Sequence, residues 1–221
     1  MEIVLKTYPF SELVKHLKTG SELEHIIAIL PKCDVDGPWI AGGSLLHTYC
    51  GNKIPSDIDV FFSSETQFNA YIEQLQGAKS NKYDVVRIEK TTWFTSVFIK
   101  YMECEYKIQC INMKYFSDIR NLFLGFDINI CMIAYDGDNI IVNEGFFESV
   151  KARTFVFNLN SIKIPKYHIK RLVKYTKYGF NIQDENLYKF TKALMKCNTS
   201  EEAFNELLID KSSATPEYSV L

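Results

Sequence analysis

Residues 39–62, WIAGGSLLHTYCGNKIPSDIDVFF, constrain this chain more than any other stretch. Trp39 to Ala41 read as a short apolar strand that runs into Gly42-Gly43, and a helix begins at or just after Ser44. Two glycines let the backbone turn sharply and let an anionic group come close. The N–H groups of the new helix and the Ser44 hydroxyl can then hold anionic oxygens. Asp57 to Phe62 reads as a second strand. Ile58, Val60 and Phe62 point to one face, and Asp57 and Asp59 share the other, with Cα atoms about 6.5–7 Å apart. Carboxylates this close repel unless a cation lies between them. Mg²⁺ favours such oxygens, with phosphates completing its shell. Either half alone is common, as a turn with an N-cap or as an exposed acidic strand face. The order, with twelve residues between Ser44 and Asp57, carries the reading.

The rest of the pattern is α+β. Two amphipathic helices are expected first, one capped by Ser11 with Leu13 and Leu17 on a face, one capped by Ser21 with Leu23, Ile26, Ile27 and Leu30. Glu65 to Leu75 reads as a helix. Tyr83 to Ile88, Trp93 to Tyr101 and Tyr106 to Ile111 are β-branched and aromatic strands. A short helix is expected around Ser117 to Leu122, and Phe126 to Tyr135 as one long strand. Asp136-Gly137-Asp138 turns it back into Asn139 to Val142. Pro165 opens a helix to Tyr178, with Gly179 as its C′ residue. Asp184 caps another through Met195, and Ser200 opens a last one to Ile209. The expected domains are therefore 1–158, a mixed sheet flanked by helices with the N-terminal helices attached; 159–210, a small helical portion; and 211–221, a flexible tail.

Composition excludes several classes. At 221 residues and 47% hydrophobic, the chain can bury a sizeable core. No signal peptide and no apolar run of membrane-spanning length are visible, so an intracellular, cytoplasmic location is expected. The six cysteines form no C-x-x-C pair and do not combine with the four histidines at zinc spacing, which points to reduced, mostly buried thiols. P-loop, Rossmann and serine-hydrolase motifs are absent. The net charge of −2 hides a split. From Lys151 to Ser200 eleven Lys and Arg face only Asp184 and Glu185. Such a segment is either a solvated helical face or a surface turned to something anionic. Abundant Lys, Asn, Ile, Tyr and Phe fit a viral or phage source.

Ala41-Gly42-Gly43-Ser44 followed by Asp57-Ile58-Asp59-Val60 resembles the signature of the DNA polymerase β-like nucleotidyltransferase superfamily. GFDINICMIAYDGDNI, residues 125–140, is similar to a segment of viral, phage and fungal nucleotidyltransferase-like proteins. KYHIKRLVKYTKYGFNI, residues 166–182, is similar to the helix after the core of CCA-adding enzymes, with Arg171, Lys174, Tyr175, Gly179, Phe180 and Ile182 fitting. The resemblance spans residues 38–182 and is sharpest at 39–62.

It implies a nucleotidyltransferase fold, an α+β mixed sheet flanked by helices, followed by a small helical portion. It also implies an enzyme that moves NMP from an NTP to an acceptor hydroxyl, most simply an RNA 3′ end, a tRNA among them. Asp57 and Asp59 would bridge two Mg²⁺ ions. Asp127 would be the third metal ligand, with Asp136, Glu103 and Glu105 as rivals. Gly42, Gly43 and Ser44 would hold phosphates, and Arg171 and Lys174 would reach the triphosphate or base. Lys151 and Arg153 form a second basic spot. Two other readings stay open: a toxin-like or defence-related nucleotidyltransferase acting on a protein or small molecule, and a non-catalytic nucleotide- or RNA-binding module. The oligomeric state is not legible.

Overall fold

A computed structural model of the chain describes residues 2–11, 22–51, 57–77 and 82–197. Eight strands form one mixed sheet in the order β1-β8-β7-β2-β3-β6-β5-β4. These are β1 (Leu5–Pro9), β2 (Trp39–Ala41), β3 (Ile58–Phe61), β4 (Asp84–Lys90), β5 (Phe94–Tyr101), β6 (Cys104–Ile111), β7 (Ile133–Tyr135) and β8 (Asn139–Asn143). The helices are α1 (Glu22–Ile29), α2 (Gly43–Tyr49), α3 (Glu65–Gly77), α4 (Ile119–Gly125), α5 (Phe146–Lys151), α6 (Pro165–Lys177) and α7 (Asp184–Leu194). The chain is thus α+β, as its patterning implies. The helices expected at 11–17 and 200–209, and the tail, lie outside the described residues.

β3 and β6 pair in parallel; every other neighbouring pair is antiparallel. Side-chain alternation then gives the sheet two unlike faces. One face carries Ile40, Ile58, Val60, Val97, Ile99, Ile108 and Cys110 into the larger core, where Phe68, Tyr71, Ile72 and Leu75 of α3 join them. The other carries Trp39, Ala41, Ala134 and Ile141 into a smaller core closed by Ile119, Leu122 and Phe123 of α4. Trp39 is fully buried, and its indole N–H donates to the Val35 carbonyl at 3.1 Å. Asp118 caps α4 by accepting from Asn121 N at 2.8 Å. Asp59 lies on the smaller-core face, on the same strand as Phe61, which packs against the margin of that core.

Two expectations need correction. The first residues contribute a strand, β1, which pairs with β8 at the sheet edge. Asn143 Oδ1 accepts from Val4 N at 2.9 Å and holds the strand in register. Its sequence, LKTYP, has too little alternation to announce an edge strand. Second, Phe126 to Tyr135 is not one strand: only Ile133–Tyr135 joins the sheet, and Asn129–Cys131 is a 3₁₀ turn. Asn129 causes the break. Its Oδ1 accepts from Val156 N at 2.8 Å and its Nδ2 donates to Ser149 Oγ at 2.9 Å, so a local side-chain network competes with the ladder. The hairpin that follows needs glycine at 137, where φ is +109° and a Cβ would run into the Cys33 carbonyl.

The C-terminal helices pack on the core. Phe157 and Phe190 of α7 stack at 4.0 Å with rings 13° apart, and both are buried. α6 turns one face inward, with His168 and Tyr175 buried, and leaves Ile169 and Val173 exposed.

Candidate functional site

The Gly-Gly turn sits where β2 leaves the sheet. Gly42 has φ +91° and ψ −136°, a conformation open to glycine and strained for other residues. Its N–H donates to Ile133 O at 3.0 Å, which ties the turn to β7. A Cβ on Gly43 would meet nothing within 4 Å, so the turn faces open space. α2 begins at Gly43, and Ser44 is buried with its Oγ unpartnered among the described residues.

Asp57 precedes β3 and Asp59 lies within it. Burial comes first, and the charge of Asp57 second, in pushing the Asp59 carboxyl up from 3.8 to about 7. Lys174, Arg171 and Lys107 pull the other way. Lys107 Nζ stands 3.7 Å from Asp57 Oδ2. The acid pair is therefore ringed by cations from two elements, β6 below and α6 above.

Lys107 and Gln109 were not singled out in the sequence. They alternate along β6, and Gln109 is the register partner of Asp59. Beyond it in the same row, Ser96 is fully buried and its Oγ has no partner among the described residues. Nothing in the sequence near residue 107 says that β6, which starts 43 positions beyond the end of β3, pairs with β3.

α6 brings the basic residues. Arg171 and Lys174 both act on the charge of Asp59. Arg171 Nε lies 2.8 Å from Asp127 Oδ2 in an ion pair, and its guanidinium lies over the rings of Tyr167 and Tyr175, at 5.6 and 5.4 Å. The contact with Asp127 is ionic, since Nε lacks hydrogen-bond alignment. His168 Nδ1 meets the same Asp127 oxygen at 2.9 Å. Cys131 Sγ lies 2.8 Å from Tyr175 Oη, and burial holds its thiol protonated. At the helix end Tyr178 packs edge-on against His47, with centroids 4.5 Å apart. Burial and the neighbouring Lys174 lower His47 to about 4, so it is neutral at pH 7.

Asp127 is thus a buried anion clasped by Arg171 and His168. Among the described residues no three His, Cys, Asp or Glu side chains form a set that could hold a metal. The rivals have other partners. Asp136 accepts from Asp138 N and Asn139 N inside the hairpin turn, Glu105 pairs with Arg87 at 3.1 Å, and Glu103 lies 4.0 Å from Lys100 on the surface. Arg153 lies over the Phe180 ring at 5.2 Å. Lys151 is exposed at the end of α5.

The residues present fit a divalent cation with a polyphosphate. Two carboxylates offer hard oxygens, one of them raised in pKa by burial and by the other's charge. Buried Ser44 and Ser96 hydroxyls want partners, and Lys107, Lys174 and Arg171 suit phosphate oxygens.

The fold and site define an α+β protein with an acid pair set under a basic helix. The chain matches the family described as Gabija anti-defense 2 family protein over residues 9–153, and it belongs to that family. It is 28% identical over 172 residues to a protein named Gabija anti-defense 2 from Bacillus phage SPbetaL7. The match covers 76% of this chain and 40% of that protein, so the chain spans well under half its relative's length. These findings overturn the placement in the polymerase β-like superfamily beside CCA-adding enzymes, and the RNA 3′-end acceptor that came with it. The physical reason is the scale of each signal. A turn and an acid pair are short features that a strand-turn-helix-strand unit can produce in many proteins, whereas the family match runs from the last residue of β1 through α5. No helix among the described residues is long and apolar enough to cross a membrane.

Proposed function

We propose that this chain counters a bacterial Gabija defence system, and that it does so as a defence-related nucleotidyltransferase acting on a protein component of that system. The first half follows the family and the name its phage relative carries. The second half rests on one observation: Asp57 and Asp59, two positions apart, are ringed by Lys107, Arg171 and Lys174, with the Asp59 carboxyl held near 7. The finer fold reading, a nucleotidyltransferase-type sheet, belongs to this proposal.

The roles follow from chemistry. Asp57 and Asp59 would hold Mg²⁺, which when bound neutralises phosphate oxygens and orients the triphosphate. The Gly42-Gly43 turn leaves room for phosphates, and the unpartnered Ser44 hydroxyl donates to one. Arg171 and Lys174 cover the triphosphate from α6. Arg171 is pre-set by Asp127, so it is positioned before a nucleotide arrives, and catalysis is mainly positioning and charge neutralisation.

The test is a phage-plating assay in bacteria carrying a Gabija system. The chain should restore plaques, and the Asp57→Asn/Asp59→Asn double variant, expressed equally, should not. No rescue by the wild-type chain refutes the anti-defence half. Equal rescue by both refutes the acid pair's part in it. Incubating the purified defence proteins with the chain, Mg²⁺ and an NTP radiolabelled at the α-phosphorus should place label in a protein band. Rescue that needs the acid pair but leaves every protein unlabelled would favour a nucleotide-binding module instead.

A further inference from the structure

We infer that His168 is a positioning residue of this site: its imidazole, held as the neutral tautomer with the proton on Nδ1, fixes the Asp127 carboxylate and through it sets Arg171 over the acid pair. This rests on the reading above, in which Arg171 meets the triphosphate.

The tautomer follows from the way the chain enters α6. Ile164 is the N-cap and Pro165, which has no N–H, opens the helix, so the Lys163 N–H lies outside the helical ladder. A part-buried backbone amide needs an acceptor. His168 Nε2 provides it at 3.3 Å. The amide can only donate, so Nε2 turns its lone pair to Lys163 and the ring proton resides on Nδ1. Nδ1 lies 2.9 Å from Asp127 Oδ2 and therefore donates to it.

The ring has little freedom to do otherwise. His168 is buried, and Phe157 and Tyr167 stand edge-on to it with centroids 6.4 and 5.3 Å away. Turning the ring over would present C–H groups to both Lys163 N and Asp127 Oδ2 and leave two polar groups without their bonds.

Asp127 passes this order on. Its carbonyl accepts from Asn158 N at 2.7 Å, which pins the backbone. Its Oδ2 takes the His168 proton and stands 2.8 Å from Arg171 Nε. Both contacts fall on the same oxygen, so the His168 bond decides where that oxygen lies, and the oxygen decides where the guanidinium lies. The other holds on Arg171 are looser. Nη1 donates to Tyr167 Oη and Nη2 to Cys131 Sγ, each at 3.4 Å, and the rings of Tyr167 and Tyr175 confine the guanidinium between them. Stacking lets a planar cation slide; the short charged contact with Asp127 sets its place along the slot.

Two substitutions separate the tasks of the ring. In Asn the amide nitrogen takes the place of Nδ1, so His168→Asn keeps the donor to Asp127. In Gln the amide sits one bond further out, so His168→Gln can meet Lys163 N and loses the donor at the Nδ1 place.

The test is calorimetric titration with Mg²⁺ and each of the NTPs carrying a methylene α,β-bridge, with melting curves to report folding. Arg171→Ala should weaken binding about 10- to 100-fold and His168→Gln about 2- to 10-fold, as expected for losing a charged and a neutral hydrogen bond. His168→Asn should bind as wild type does. The His168→Gln/Arg171→Ala double variant should bind no more weakly than Arg171→Ala, because His168 acts through Arg171; a residue that only supports the fold would multiply the losses. In the nucleotide-free wild type, ¹⁵N–¹H correlation of the histidine rings should place the proton on Nδ1 in the ring whose signals His168→Asn removes. A proton on Nε2, a folded His168→Gln that binds as wild type does, a folded His168→Asn that loses as much as His168→Gln, or multiplied losses overturn the inference while the site stands. Should His168→Gln not fold, His168→Asn and the ring spectrum decide. No binding by wild type, or no loss in Arg171→Ala, overturns the reading of the site and this inference with it.

Discussion

Replacing Asp59 by Asn should stabilise the metal-free protein while destroying the site. In the folded chain the Asp59 carboxyl is pushed from 3.8 up to about 7, by burial first and by Asp57 second. Moving a carboxyl from 3.8 to about 7 corresponds to about 4 kcal/mol. A carboxyl whose folded pKa is raised contributes stability that is fully present below its unfolded pKa, near 4, and is lost as pH rises through about 7. The metal-free wild type should therefore lose up to about 4 kcal/mol between pH 4 and pH 8. The Asp59→Asn variant has no such charge to bury. Thermal melts in chelator at pH 5, 6, 7 and 8 should show the variant melting above wild type at pH 8, with the gap closing toward pH 5. For a chain of this size each kcal/mol is worth about 2–4 °C. Adding Mg²⁺ with an NTP at pH 8 should reverse the order, since only wild type gains stability by binding. A variant that melts below wild type at pH 8 without metal, or a gap that does not change with pH, would refute the argument.

Two further outcomes follow from the packing and the turn. Ser44→Ala removes a buried hydroxyl that has no partner among the described residues, so it should leave the melting temperature unchanged or raise it, by up to about 1–3 kcal/mol of stability, while weakening Mg²⁺–NTP binding measured by calorimetry. Phe157→Ala should cost about 3–5 kcal/mol in urea unfolding, because it empties one half of the Phe157–Phe190 stack that fastens α7 to the core.

Much of the fold was readable along the chain. Side-chain alternation announces β3, β-branched and aromatic residues announce β5 and β6, and the Gly-Gly pair announces the bend out of β2. Local signals failed where partners far along the chain decided the outcome. β1 has a poor alternation pattern and exists because β8 offers it an edge. Phe126 to Tyr135 has the composition of a strand, yet Asn129 finds Val156 and Ser149 and breaks it. The same division runs through the site. The order and spacing of residues 39–62 point to Asp57 and Asp59, a resemblance points to Arg171 and Lys174, and the fold brings the charges of all four to bear on one another. Lys107 and Gln109 were passed over, because an isolated Lys-x-Gln in a strand carries no signal of its own.

What the sequence determined alone is the turn and the acid pair: Gly42 because only glycine adopts its backbone geometry without strain, and the shared face of Asp57 and Asp59 because strand side chains alternate with a period of two. What only the tertiary structure decided is the company these residues keep. The parallel pairing of β3 with β6 sets Lys107 and Gln109 beside the acids, and the docking of α6 turns Asp127 from a free carboxylate into the clasp of Arg171. Coulomb energy depends on distance through space, and distance through space between residues 59, 107, 127 and 171 is written by the packing of the whole sheet and not by any local run of residues.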